Sequence, residues 1–301
     1  MTGKMSIRAC RWLLILAASW MAASCSSGSL DDGGSADGRS ILVFKTCSGD
    51  EIVPMEQDAA VGVFFWSDGT GDILRKNEMV IIGENGEPVQ QRDTLVPAAL
   101  DEYRFFAYSP YDSSWDDILD SVVEFAVEKD QTSEVNYRNS DLMMSHKIER
   151  KGFCDEAVFD HVMAKIVLHV TDKTGTFDLT GASVTMHGLV CGAYVYVADG
   201  SCLAMDMDSA SVSCHMLDSR DRRASLAAVI PPQETENLIL AFDLALADSV
   251  YGFTLSDVPP FEAGKVYVYS LRVTDRGLEL EDSTITDWED DGGGSFNVAF
   301  E

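Results

Sequence analysis

Between Val158 and Thr171 the chain alternates with a period of two. Val158, Val162, Ala164, Ile166, Leu168 and Val170 share one parity, while Phe159, His161, Met163, Lys165 and His169 share the other. Such a period places successive side chains on opposite faces of an extended strand, whereas a helix would scatter the same set around its axis. Shorter stretches repeat the pattern. Strands are expected at Ile41 to Thr46, Val61 to Trp66, Tyr103 to Tyr108, Val122 to Val127, Ser183 to Leu189, Ala193 to Val197, Leu238 to Leu246, Tyr251 to Leu255, Lys265 to Val273 and Ser295 to Phe300. Turn formers separate them: Asp68-Gly69, Glu84 to Gly86, Ser109-Pro110, Asp199-Gly200, Pro231-Pro232, Pro259-Pro260 and Asp275 to Gly277. Many short strands with frequent turns indicate an all-β chain of antiparallel sandwiches. A length of 301 residues suits two domains. The polar run Glu149 to Gly152 sets the expected boundary, with one domain over 40–152 and a second over 153–301.

The first 25 residues belong to export rather than to the fold. Lys4, Arg8 and Arg11 precede the apolar run Trp12 to Ala18, which leads through Ala22, Ala23 and Ser24 to Cys25. The run is too short to span a bilayer of about 30 Å, and small residues before a cysteine are what a lipoprotein signal peptidase accepts. Cys25 is therefore the expected lipidated N-terminus. Each buried methylene contributes roughly 0.8 kcal/mol, so two or three acyl chains would hold the protein at a membrane. Residues 26–39, rich in Gly, Ser and Asp, read as a flexible tether.

Acidic residues number 50 against 22 basic ones, and the net charge of -28 repels phosphate backbones. Nucleic acid is excluded as a partner. After the signal the chain keeps Cys47, Cys154, Cys191, Cys202 and Cys214, whose spacings match no zinc motif. A hairpin turning at Asp199-Gly200 would set Val197 opposite Cys202 and Cys191 opposite Asp208, so these two thiols would not meet. His161 and His169 would lie about 26 Å apart along one strand at roughly 3.3 Å per residue, too far to share a metal. Asp287 to Gly292 partly follows the acidic alternation of a calcium loop, but Val298 stands where the bidentate glutamate belongs. No G-x-S-x-G elbow or phosphate-binding glycine loop occurs. Neither enzyme activity nor a metal or cofactor is expected. Phe64, Phe65, Trp66, Trp115 and Trp288 fit either a sugar-stacking platform or packing in the core, and packing is the better reading.

Several segments, in order, resemble the fimbrillin-like proteins of Bacteroidales, the Mfa-like and FimA-like subunits of type V pili. They are Gly62-Val63-Phe64, Tyr103 to Pro110, Asn139 to Met143, and Phe159, His161 and Ala164-Lys165-Ile166, which look like an F-x-H-x-x-A-K signature. Ile230 to Gln233, Phe261 to Lys265 with Tyr267 and Tyr269, and Ile285 to Trp288 continue the series. The acidic pair Asp31-Asp32 is similar to the surface-export signal of Bacteroidetes lipoproteins. The resemblance implies two transthyretin-like sandwiches in tandem, export as an outer-membrane lipoprotein, and assembly with other fimbrial subunits by donor-strand exchange. It also leaves room for a host or bacterial surface ligand. Beyond Gly292-Gly293-Gly294, Phe296, Val298 and Phe300 alternate with Asn297, Ala299 and Glu301, so residues 295–301 suit a donor strand. The same stretch could instead fold back on its own domain. The first strand departs from the family. Fibre-forming members lose theirs to a protease that cuts after arginine, and here the loop from Cys47 to Ala59 holds neither arginine nor lysine. Either another protease acts, or the subunit stays lipidated as an anchor, a tip or an accessory protein; the alternative function is a monomeric surface lipoprotein binding glycan or host protein.

Overall fold

In a computed structural model the described residues are 41–48, 51–67, 72–89, 102–115, 122–145, 148–151, 154–197, 200–236, 239–247, 249–255 and 257–288. Among them the chain is nearly all strand, arranged in four sheets. An 8-stranded sheet runs in the order β2 (Glu51–Pro54), β1 (Ile41–Ser48), β9 (Cys154–His161), β7 (Met143–Ser145), β5 (Glu102–Ser109), β3 (Ala60–Ser67), β4 (Ile73–Ile81), with β8 (Ile148–Lys151) also paired to β5. Both of its faces are apolar because both are covered. Val63, Phe65, Phe105 and Ala107 join Phe44 and Phe159 in a core that this sheet encloses by itself. Phe64, Phe106 and Tyr108, on the opposite parity, join the core of the remaining sheets. This explains why the runs Val61 to Trp66 and Phe105 to Tyr108 are apolar throughout.

The C-terminal half stacks a 5-stranded sheet, β15 (His215–Arg220), β16 (Arg223–Ile230), β10 (Ala164–Thr171), β19 (Lys265–Thr274), β20 (Gly277–Asp287), on a 4-stranded one, β14 (Ala210–Ser213), β11 (Ser183–Leu189), β17 (Leu240–Leu246), β18 (Ser249–Leu255). The Phe242 and Tyr269 rings meet between them at 5.9 Å. A 3-stranded sheet, β13 (Ser201–Ala204), β12 (Gly192–Tyr196), β6 (Val122–Ala126), borrows β6 from the N-terminal half.

The strand reading changes in detail. The strand expected over 158–171 is two strands: β9 ends at His161 in the first sheet, and β10 begins at Ala164 in another. At the break, Val162 N–H donates to the Leu142 carbonyl and the Met163 carbonyl accepts from Gly264 N–H, at 3.0 and 2.8 Å. Two residues intervene, so the parity runs through undisturbed and conceals the break. The polar run near 150, where a boundary was expected, includes β8, and β9 beyond it pairs with β1 and β7. The hairpin register also differs. Cys202 stands opposite Val195, and Gly200 N–H closes the turn onto the Tyr196 carbonyl at 2.8 Å. Cys191 and Cys202 are free thiols.

Two buried glutamines stand in for missing strands. β15 reaches only as far as Ala227 along β16, which leaves the outward peptide groups of Val229 uncovered. Gln131, wholly buried, accepts from Val229 N–H at 2.8 Å and donates to its carbonyl at 2.7 Å. Gln233 treats Val190 the same way, at 3.0 and 3.2 Å, and its own backbone bridges Phe261 in both directions. Each side-chain amide thus behaves as one peptide unit of an added strand.

Gly62 faces Tyr108 across β3 and β5, and a Cβ there would stand 2.2 Å from the tyrosine ring. The ring cannot retreat. It stacks on Trp115 at 4.4 Å, and its hydroxyl lies 2.7 Å from Asn77 Oδ1 and 2.8 Å from the Asp112 carbonyl. Gly62→Ala should cost about 1–3 kcal/mol by overpacking, read as a lower urea midpoint. An unchanged midpoint would show that the ring moves freely.

Beyond β10, Asp172 organises a tight loop. Its carboxylate accepts from the Thr174 hydroxyl and N–H at 2.6 and 2.7 Å and from Phe177 N–H at 2.8 Å. Burial pushes its pKa up, but these bonds, with the Gly175 N–H, outweigh it and hold the carboxyl at about 2. A depressed folded pKa means a contribution present in full above the ordinary carboxylate range and lost as pH falls from about 4 towards 2. Asp172→Asn should therefore be less stable at neutral pH and flatten the acid limb of the stability profile over that window. Equal acid limbs in the two proteins would refute the assignment.

Candidate functional site: the seat of the first strand and the Trp288 clasp

β1 is the strand whose departure would open the first sheet. It pairs antiparallel with β2 and parallel with β9, from Ile41 opposite Cys154 to Thr46 opposite Phe159, whereas the other described pairings of this sheet are antiparallel. Phe44 is fully buried from it, with its ring 6.1 and 6.2 Å from those of Phe159 and Phe105. The Phe44 carbonyl accepts from Met55 N–H at 2.9 Å, and Gly86, at φ +77°, comes so close to it that a Cβ would lie 2.2 Å from the oxygen. Lys45 pairs with Glu156 on β9 at 2.5 Å. Without β1, one edge of β9 and a pocket lined by Phe105 and Phe159 would face solvent, a combination that accepts an added strand.

A second constellation gathers four of the motif segments found in sequence. His161 Nδ1 lies 2.9 Å from Asp141 Oδ1, and its ring stacks flat on Trp288 with centroids 4.2 Å apart. The Lys165 ammonium sits 5.1 Å from the same indole centroid. Trp288 N–H donates to the Gly264 carbonyl at 2.9 Å, and Gly264 takes φ +68°. Beside it Lys265 forms an ion pair with Asp287 that pushes the lysine pKa up. Trp288 is thus held by both imidazole and ammonium, with stacking and cation–π attraction adding to burial. The chain passes from this clamp directly into 289–301.

Cys25, Phe296, Val298 and Phe300, the residues expected to carry lipidation and strand donation, lie outside the described residues, as does most of the calcium-like loop. His161 and His169 occupy different sheets. Of the aromatics weighed as a sugar platform, Phe64, Phe65, Trp115 and Trp288 are buried, so packing is their role. Burial pushes the thiol pKa values of Cys191, Cys202 and Cys214 up, to about 12 for Cys202, which keeps them protonated and weakly nucleophilic. Sequence reasoning missed a row formed across β14, β11 and β17. Ser211 Oγ lies 2.7 Å from His187 Nδ1, and Asp243 Oδ2 lies 3.0 Å from His187 Nε2. These residue types also make a catalytic triad, but here His187 and Asp243 are more than a third exposed on an open sheet face. Water competes for each contact, so the row serves as surface hydrogen bonding.

Comparison with known proteins agrees with these segments. The fimbrillin-like family model matches residues 48–288, and the chain belongs to that family. A Bacteroides uniformis protein provisionally named fimbrium subunit Fim1C is 24% identical over 256 residues, covering 79% of this chain and 80% of that one. Two crystal structures of proteins provisionally named for cell adhesion share the fold. The one from Bacteroides uniformis has a TM-score of 0.62 at 22% identity, over 84% of this chain and 99% of that chain. The one from Bacteroides ovatus has a TM-score of 0.66 at 14% identity, over 83% and 97%.

Proposed function

We propose that the protein is a structural or adhesive subunit of a type V-like fimbria, lipidated at Cys25, held at the outer membrane facing outwards, and joined to other fimbrial subunits by strand donation. In this reading two transthyretin-like sandwiches stand in tandem behind the tether, with β9 (Cys154–His161) in the sheet of the first and β10 opening the second. Residues 295–301 are the donor, with Phe296, Val298 and Phe300 as the plugging side chains, at about 1.5–3 kcal/mol for each one fully buried. The observation that carries the reading is the seat of β1: one strand, anchored by Phe44, covers a pocket and a ladder edge that another chain's strand could take over. Trp288 supports it by fixing where the donor leaves the subunit. The protein would carry load and contacts rather than catalyse.

The N-terminal mass of the protein extracted from native outer membranes tests this. A start beyond Thr46 identifies a fibre building block with an open seat. An acylated Cys25 start identifies an anchor, a tip or a monomeric surface binder of glycan or host protein. Polymer ladders resistant to mild denaturant then separate fibre members from the monomer, and deletion of Gly292 to Glu301 should abolish donor activity while leaving the fold intact. Assembly that survives the deletion would remove the tail from the mechanism.

A further inference from the structure

The 3-stranded sheet has two unlike faces. Ala193, Val195, Val123 and Cys202 point into the core. On the other face Tyr194 lies between Leu203 and Glu124, and Tyr196 between Ser201 and Val122. These apolar groups are open to solvent: Tyr194 by 40%, Tyr196 by 37%, Leu203 by 58% and Val122 by 49%. The row continues at Gly192, where the sulfurs of Met205 and Met207 lie within 2.8 Å of the place a Cβ would take. Glu124 is the charged group among these paired positions, in a chain that is 24% charged.

Size and charge decide what fits this face. Taking a full large side chain as roughly 150–250 Å², the exposed part is on the order of 400 Å², half the roughly 800 Å² that each partner of a stable protein complex contributes. A second copy would also bring another charge of -28 to a face holding Glu124. Anionic polymers meet the same repulsion. A neutral sugar chain meets none of these objections. Its apolar ring faces stack on tyrosine rings, while its hydroxyls reach the tyrosine hydroxyls, the Glu124 carboxylate and the Ser201 hydroxyl. Tyr194 and Tyr196, two apart on one strand, stand roughly 6.6–6.8 Å from each other along it, so consecutive sugar rings can lie one on each. β13 and β6 are the edges of their sheet, so the face does not end in a wall of strands and a long chain can run across it.

We propose that this face binds neutral glycan chains, with Tyr194 and Tyr196 as the stacking residues. The inference rests on the surface-exposed, adhesive reading given above, and is independent of strand donation. Affinity electrophoresis of the mature chain in gels containing dextran, galactomannan or hydroxyethylcellulose tests it, with polygalacturonate as the anionic control. Migration should be retarded in at least one neutral gel and unaffected in polygalacturonate. Tyr194→Ala/Tyr196→Ala should weaken that retention at least about tenfold with an unchanged melting temperature, and Tyr194→Phe/Tyr196→Phe should keep most of it. Absence of retardation in every neutral gel, or equal retention by the alanine variant, overturns the proposal. Sedimentation showing a dimer that the alanine variant abolishes would also overturn it, by giving the face to a second copy. Polymer ladders report separately on strand donation, so loss of one activity leaves the other legible.

Discussion

Gln131→Ala is expected to lower the unfolding free energy by about 3–5 kcal/mol, measured by urea denaturation. Gln131 has no exposed surface, and its amide satisfies both outward groups of Val229 where β15 has ended. Removing it leaves a buried donor and a buried acceptor without partners, at about 1–3 kcal/mol each, together with a cavity. Its amide also donates to the Glu128 carbonyl at 3.0 Å, which would be lost as well. Gln131→Leu separates the causes, because it restores volume without the bonds. If the leucine variant recovers more than half of the loss, packing rather than hydrogen bonding explains the site. A loss below about 1 kcal/mol in the alanine variant would mean that water takes over the amide's work.

Phe44→Ala should cost about 3–5 kcal/mol, the usual range for emptying a fully buried phenylalanine site. The way the loss is expressed is the informative aspect. Phe44 packs on Phe105 and Phe159, which belong to strands held by other pairings, so the rest of the first sheet keeps its support when the ring is removed. The loss should therefore concentrate in β1 and the start of β9. Hydrogen exchange should quicken at 41–48 and 154–159 well before the 5-stranded sheet responds, and proteases should gain access near Ser48. A uniform rise in exchange across both halves would show that the seat of β1 is not a separable unit.

The all-β class was legible because alternation and turn residues are local signals. β11, β17 and β19 fell close to the places their periodicity marks, and Phe64 and Phe65 read as core from the sequence alone. Other elements carried weaker signals. β16 reads Arg-Ala-Ser-Leu-Ala-Ala-Val-Ile, buried nearly throughout, and small alanines blur any period. β20 is exposed along most of its length, so it shows no apolar face to find. α1, at Glu134–Asn139, is a single short helix whose cap Ser133 accepts from Asn136 N–H, a signal present in the sequence but easily taken for a loop. The glutamine staples differ from one another. Gln233 stood within a recognised segment, whereas Gln131 has no local mark, because its partner Val229 lies in a strand far along the chain. The Trp288 clasp was visible only as separate motif fragments, and the tertiary fold brings His161, Asp141, Gly264 and Trp288 into contact.

The parallel pairing of β1 with β9 also determines how the subunit would answer a pull. Tension applied between the start of β1 and the chain beyond His161 draws the two strands past each other along their length, because parallel strands place those two ends at opposite extremes. The ladder rungs from Ile41 to Thr46 then bear the strain together, as bolts do in a lap joint, and do not open in sequence from an end. Pulled by its two ends, the first sheet is loaded in shear at the strand nearest the N-terminus.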